Sequence, residues 1–278
     1  MIRLEREDYR KAEEALLGLS INTIFAQSVL RLCADGEVYA DRDTAPEAFY
    51  VLHPYGMALL FGKRGSTLFE ERLANRFTNG DGSRSRPEWL QADPAGDWDG
   101  FIETVIQTHQ TKLEEAGLPT DGDRAVLRNT RVNFRFNPIA YAETKEKHLQ
   151  RDHRVVQTTA ELFHRQSGAV VPRFFFRNAE HFLGEGVGFT ALHGDEPAAT
   201  AFSAYRNEQQ LEIGIESTES CRGKGYAFAV CSALIDYCLE NSLEPVWSCR
   251  LENAASHRLA QKLGFEPTVT LPYYRLPV

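Results

Sequence analysis

Two hydrophobic rhythms dominate the C-terminal third of the chain. Leu211, Ile213 and Ile215 alternate with Glu212, Gly214 and Glu216, a period of two that predicts a strand with one apolar and one polar face. Ala227, Val230, Cys231, Leu234, Ile235 and Cys238 then recur at helical spacing, which predicts a helix with a single apolar stripe. Upstream, residues 158–165 and 178–183 read as short helices. Residues 187–192 and 198–205 read as strands joined by the turn His193-Gly194-Asp195-Glu196. Downstream come a strand at 245–249 and a helix at 253–263, closed by Gly264 as its C-terminal cap. A last strand at 269–276 contains Pro272, which predicts an interruption or an edge position because proline has no N–H to donate.

The first half is mixed. Helices are expected at 5–18, 21–32 and 98–108, and strands at 48–52 and 57–61. Val132, Phe134 and Phe136 alternate with polar residues and predict a half-buried strand at 131–137. Turn-rich stretches at 79–87 and 118–123 break the pattern. A charged stretch at 144–152 without strong periodicity marks the expected domain boundary, giving residues 1–150 and 151–278. No internal repeat is visible. The class expected is α/β of the α+β type, a mixed central sheet flanked by helices, preceded by a smaller α/β N-terminal domain.

Composition narrows the function. With 42% apolar residues the chain can bury a sizeable core. No run of about 18 apolar residues occurs, and the charged start Met1-Ile2-Arg3-Leu4-Glu5-Arg6 has no signal-peptide core, so a cytoplasmic protein is expected. A net charge of −8 argues against a nucleic-acid backbone as partner and suits a cationic substrate. The five cysteines form no CxxC pair, so neither a disulfide framework nor a metal site is expected. Cys231 and Cys238 share one helical face and are expected to be buried thiols.

The candidate chemistry lies between the predicted strand and helix, at Arg222-Gly223-Lys224-Gly225. Glycines let the backbone approach a ligand closely. The first N–H groups of the helix lack internal partners, and its dipole favours an anion there. Arg222 and Lys224 add full charges. Such a turn is a cradle for a pyrophosphate. It is not a P-loop, because Lys224 is followed by Gly225 rather than Ser or Thr.

Taken with the helix Asn253-Ala254-Ala255-Ser256-His257-Arg258-Leu259-Ala260-Gln261-Lys262-Leu263-Gly264-Phe265, this segment resembles the GNAT superfamily of N-acetyltransferases. Glu212 to Ser217, Pro245-Val246-Trp247 and the upstream Phe182-Leu183-Gly184-Glu185-Gly186-Val187-Gly188-Phe189 are similar to the zwittermicin-resistance-like group within it. The resemblance implies an acetyl-CoA-dependent N-acetyltransferase. It implies that Ile215, Glu216 and Ser217 pair with the pantetheine arm. Arg222, Gly223, Lys224, Gly225, Tyr226 and Ala227 would hold the pyrophosphate, and Asn253 and Ser256 would contact the cofactor from the second helix. Two positions depart from the superfamily pattern: Ser220 stands where Gln or Arg is common, and Ala260 where a general-acid Tyr is common. The acid then comes from elsewhere, with Ser256, Tyr273 and Tyr274 as candidates, or water supplies the proton.

An amine must be neutral to attack a thioester, so a base or a water relay is required. Glu212 and Glu216 share a strand face, and Glu216 is the preferred base, with Ser203 on the neighbouring strand a weaker candidate. The expected acceptor is a primary amine of a small cationic molecule, with no nucleic acid or membrane as partner and a homodimer left open. Acetylation of a protein or peptide amine, or a non-catalytic acyl-CoA-binding sensor, are the alternatives.

Overall fold

Short buried strands and amphipathic helices alternate along the chain and gather into two units. The structure, a computed structural model, describes residues 1–82, 84–148 and 153–278. Unit 1 comprises Met1–Arg131, Arg250–Glu252 and Thr270–Val278; unit 2 comprises Val132–Cys249 and Asn253–Val269.

Unit 1 contains β1 (Ile2–Arg3), α1 (Tyr9–Leu16), α2 (Ile24–Leu30), β2 (Glu37–Ala40), β3 (Ala48–Leu52), β4 (Met57–Gly62), α3 (Thr67–Phe77), β5 (Glu88–Ala92) and α4 (Trp98–Glu115). Strands β1 to β4 pair antiparallel in sequence order, and β4 pairs β5 in parallel. A parallel pair needs a crossover, which α3 supplies. Phe69, Leu73 and Phe77, one turn apart on α3, pack with Tyr50, Leu60 and Trp98 in the core of this unit.

Unit 2 takes in the second half of β6 (Leu127–Phe136), then α5 (Pro138–His148), β7 (Arg154–Gln157), α6 (Ala160–Arg165), α7 (Ala179–Glu185), β8 (Gly188–His193), β9 (Glu196–Arg206), β10 (Gln210–Ser217), α8 (Tyr226–Glu240), β11 (Glu244–Arg250) and α9 (Ala254–Lys262). Strands β7 to β10 pair antiparallel in order, and β10 pairs β11 in parallel. The final strand β12 (Phe265–Leu276) begins in unit 2 and ends in unit 1. Of the stripe expected on α8, Val230, Cys231, Leu234, Ile235 and Cys238 are buried in the core of unit 2 with Trp247 and Phe265, and Ala227 is only partly buried.

Several elements differ from expectation. The helix expected at 98–108 continues to Glu115. Strand β12 runs unbroken through Pro272, and its ladder with β5 uses Tyr274 to Leu276, beyond the proline. Strand β5 was hidden because Glu88 and Gln91 are buried. Glu88 is held by Arg76 at 2.6 Å and by the Tyr50 hydroxyl at 2.9 Å, so its charge is paired rather than solvated. Of the charged stretch at 144–152, residues 144–148 continue helix α5. Residues 149–152, and with them the expected boundary at 150/151, lie outside the described residues.

Candidate active site

Strand β10 parts from β11 after three residue pairs. Gln210, Leu211 and Glu212 face Glu244, Pro245 and Val246, and the ladder goes no further. On its other edge β10 stays paired to β9 as far as Ser217, with a bulge between Glu212 and Ile213. Bulges bend a strand and increase its twist, and here the bulge sits where β10 leaves β11. The β11-facing edge of Ile213 to Ser217 is therefore open for an extended ligand to add as a strand.

A cleft of about 680 Å³ occupies this opening. Its walls are the end of β10 (Ile215, Glu216, Ser217), the turn into α8 and the first turns of α9. In the turn, Gly223 has φ +76° and Gly225 has φ +85°, a region that costs a side-chain-bearing residue about 1 kcal/mol or more. Gly225 is also the N-cap of α8, and no side chain caps that helix. Its first N–H groups are left for a ligand. Opposite, the Asn253 side chain accepts from the Ser256 N–H at 3.2 Å and so starts α9. The Ser256 hydroxyl accepts from the Trp247 indole N–H at 3.3 Å.

The charges in the cleft are segregated. Arg222, Arg258, Lys262 and His148 line it, whereas Glu216 is its one carboxylate among the described residues. Arg258 and Lys262 are four apart on α9 and share a face. A polyanion at the α8 end meets cations and an uncapped helix start together.

Glu216 has a second set of partners. Its Oε2 accepts from the backbone N–H of Ala169 at 2.9 Å and of Val170 at 3.0 Å. Gly168 in that loop has φ +126°, and a Cβ there would fall 2.5 Å from Glu216 Cγ. The loop thus closes over the carboxylate only because residue 168 is glycine.

The structure brings most of the expected residues together. Ile215, Glu216, Ser217, Arg222, Gly223, Gly225, Tyr226, Ala227, Asn253 and Ser256 all line the cleft. Lys224 is exposed and outside the lining. Glu212 is only 4% exposed and does not reach the cleft, so the alternation that paired it with Glu216 does not carry it into the site. Ser203 is spent on the backbone of Val187, both accepting from its N–H and donating to its carbonyl. Tyr274 donates to Asp99 and Glu103, with burial pushing its phenol well above the usual range, and Tyr273 stacks on Trp89. Neither tyrosine lines the cleft. Ala260 is fully buried among core residues, so no hydroxyl replaces the usual tyrosine at that position. Cys231 and Cys238 are buried, and desolvation pushes the Cys238 thiol up to about 12.

Residues missed from the sequence include His148, Phe228, Arg258, Leu259 and Lys262. Arg258 and Lys262 were legible as one face of the second helix. The surroundings of Tyr226 were not: its hydroxyl lies 2.8 Å from His193 Nδ1, and its ring stacks on His153 at 4.1 Å. His153 is partly buried against this tyrosine. Among the described residues no helix is long and apolar enough to cross a membrane, and no cluster of three or more His, Cys, Asp or Glu could hold a metal.

Comparison with known proteins agrees with this fold. The GNAT acetyltransferase family model matches residues 14–274. An uncharacterized N-acetyltransferase of Bacillus subtilis (strain 168), YdfB, is 24% identical over 250 residues, covering 88% of this chain and 87% of the relative. A GCN5-related N-acetyltransferase-like protein from Streptococcus suis 89/1591 has a similar structure, with a TM-score of 0.71, 21% identity and coverage of 97% and 98% of the two chains. A tandem GNAT protein from the clavulanic acid biosynthesis pathway superposes with a TM-score of 0.60 at 10% identity, covering 99% of this chain and 97% of that one. At such identities the structures speak for the fold, and the match of the family model over nearly the whole length speaks for descent: the chain is a member of the GNAT acetyltransferase family.

Proposed function

We propose that the chain transfers the acetyl group of acetyl-CoA, the co-substrate of its family, to the primary amine of a small cationic molecule. The observation that carries this reading is the segregation of charge in the cleft, with Arg222, Arg258 and Lys262 set against the single carboxylate of Glu216. In this reading the pyrophosphate lies on the Gly223–Ala227 turn, and the pantetheine arm adds to the open edge of Ile215 to Ser217. Asn253 and Ser256 bound it from α9. The acyl end then reaches Glu216, whose negative charge holds a cationic acceptor and takes up a proton, directly or through water. The neutral nitrogen attacks the thioester carbonyl, the tetrahedral intermediate collapses with cleavage of the C–S bond, and the proton the nitrogen gives up passes through water to the departing CoA thiolate.

Glu212, buried outside the cleft, is given no part in the transfer, and neither is Ser203. Within the family we place the chain with the zwittermicin-resistance-like group on the strength of its Glu212-to-Ser217 and Pro245-Val246-Trp247 segments. The test is turnover of acetyl-CoA against a panel of small polyamines, aminoglycoside-like amines and peptides, followed as free thiol. Release with the small cations supports the reading, and release with peptides alone moves the acceptor to protein. Binding of acetyl-CoA without release across the panel, which the buried Ala260 makes a specific alternative, favours a sensor.

A further inference from the structure

No repeat is visible in the sequence, yet the fold repeats. Unit 1 runs β1, α1, α2, β2, β3, β4, α3, β5, α4, and unit 2 runs β7, α6, α7, β8, β9, β10, α8, β11, α9. The pairing repeats as well: three antiparallel ladders in order, then one parallel ladder across a helix. Strand β4 therefore corresponds to β10, α3 to α8, and α4 to α9. The internal counterpart of the acetyl-CoA cleft lies between the ends of β4 and β5.

We infer that unit 1 is a second acetyltransferase half whose cofactor cleft is closed by its own residues, so that each chain takes a single acetyl-CoA. Four observations carry this. First, the strands do not part. Met57 to Leu60 pair with Trp89 to Ala92, the Asp93 N–H donates to the Leu60 carbonyl at 2.8 Å, and the Trp98 indole N–H donates to the Gly62 carbonyl at 2.9 Å. The last residues of β4, which would offer an edge to pantetheine, are already bonded. Second, the turn is shortened to residues 63–66, where unit 2 has 218–225. Third, the helix start is capped, since the Ser66 hydroxyl accepts from the Phe69 N–H. Fourth, Arg64 is turned inward as a clasp. Its guanidinium pairs with Glu70 of α3 at 3.0 Å, donates to the Asp97 carbonyl at 3.2 Å and lies 5.2 Å from the centre of the Phe101 ring on α4. The pocket that remains there, about 380 Å³, is lined by Lys63 and Arg64 together with Asp93 and Asp97, so its charges cancel.

The inference is tested on the full-length protein by native mass spectrometry at rising acetyl-CoA, joined to hydrogen exchange. One equivalent is expected for the wild type and none for Ala227→Glu, which puts a negative charge at the unit 2 turn. Acetyl-CoA should slow exchange in peptides covering 213–229 and leave 57–70 unchanged. A second equivalent, one equivalent retained by Ala227→Glu, or ligand protection at 57–70 would overturn it. The exchange comparison on the wild type stands even if the variant misfolds. The one-equivalent count rests on the proposed function, so no binding at all would sink that reading. The closure is then read in the free protein, where the Asp93 amide and the Trp98 indole N–H should exchange at least ~100-fold slower than exposed groups. Fast exchange at both would overturn it.

Discussion

Glu216 Oε2 accepts a hydrogen bond from the Val170 backbone N–H at 3.0 Å, tying the end of β10 to the loop before the helical turn at 172–174. This carboxylate therefore has two separable jobs, holding the loop and carrying charge into the cleft. Glu216→Gln keeps an acceptor oxygen for the loop and removes the charge. It is expected to lower kcat/KM about 100-fold, within the range for a lost general base. Glu216→Ala loses both jobs and should also raise the KM for the acceptor. Unchanged activity of Glu216→Gln across pH would remove the base role.

Gly168→Ala reaches the same group from outside. Its new Cβ collides with the Glu216 side chain, in a backbone region unfavourable to alanine. A fall of about tenfold in kcat/KM is expected, with no further loss when it is combined with Glu216→Gln, since residues acting through one group are not additive. Full additivity in the double-mutant cycle would show that Gly168 acts elsewhere.

The cations of the cleft should govern the cofactor rather than the chemistry. Arg222→Ala and Lys262→Ala are each expected to raise the KM for acetyl-CoA about three- to tenfold with kcat little changed. The wild-type KM should rise with added salt, and less steeply in either variant. Steady-state kinetics at two ionic strengths checks both points.

Ala260→Tyr restores the residue common in the superfamily but not its function. The position is fully buried, and overpacking such a site costs about 1–3 kcal/mol. A lower midpoint in denaturant without a gain in kcat is expected. A rise in kcat at unchanged stability would show that the cleft can accept the hydroxyl.

His53 sets a pH dependence of stability in unit 1. It is 1% exposed, its Nδ1 accepts from the Tyr55 N–H at 3.0 Å, and burial, aided by the Arg86 charge, lowers its pKa from 6.5 to about 3. Between those values the unfolded chain carries a proton there that the folded chain does not. Stability is therefore lost as pH falls from roughly 6.5 towards 3, at up to about 1.4 kcal/mol per pH unit from this group. His53→Asn, whose side-chain oxygen can take over the bond to Tyr55, should remove about one proton from the slope measured by denaturant titration at several pH values. An unchanged slope would assign the dependence to other groups.

Much of the cleft could be read in the sequence because its parts are local. Strand β10, the glycine turn and helix α8 are contiguous, and each announces itself through alternation, positive-φ glycines or a 3.6-residue stripe. The buried polar strand β5 could not be read, because Glu88 looks like a surface residue until Arg76 and Tyr50 are seen to hold it. The partners of Glu216 were equally hidden, since Ala169 and Val170 contribute only backbone N–H groups, which leave no trace in residue type.

The sequence by itself determined the glycine turn at Arg222–Ala227, the helix that faces it and, through both, the family. Tertiary structure decided which strand edge is open. Strand pairing is made by backbone groups common to every residue, so Leu60 and Ile213 look alike in sequence although one is bonded across to the Asp93 N–H and the other lies past the end of its ladder with β11. For the same reason only the fold reveals that the chain contains two halves of similar order. Their shared feature is an order of ladders and helices, and the residues that open the cleft in one and close it in the other are different.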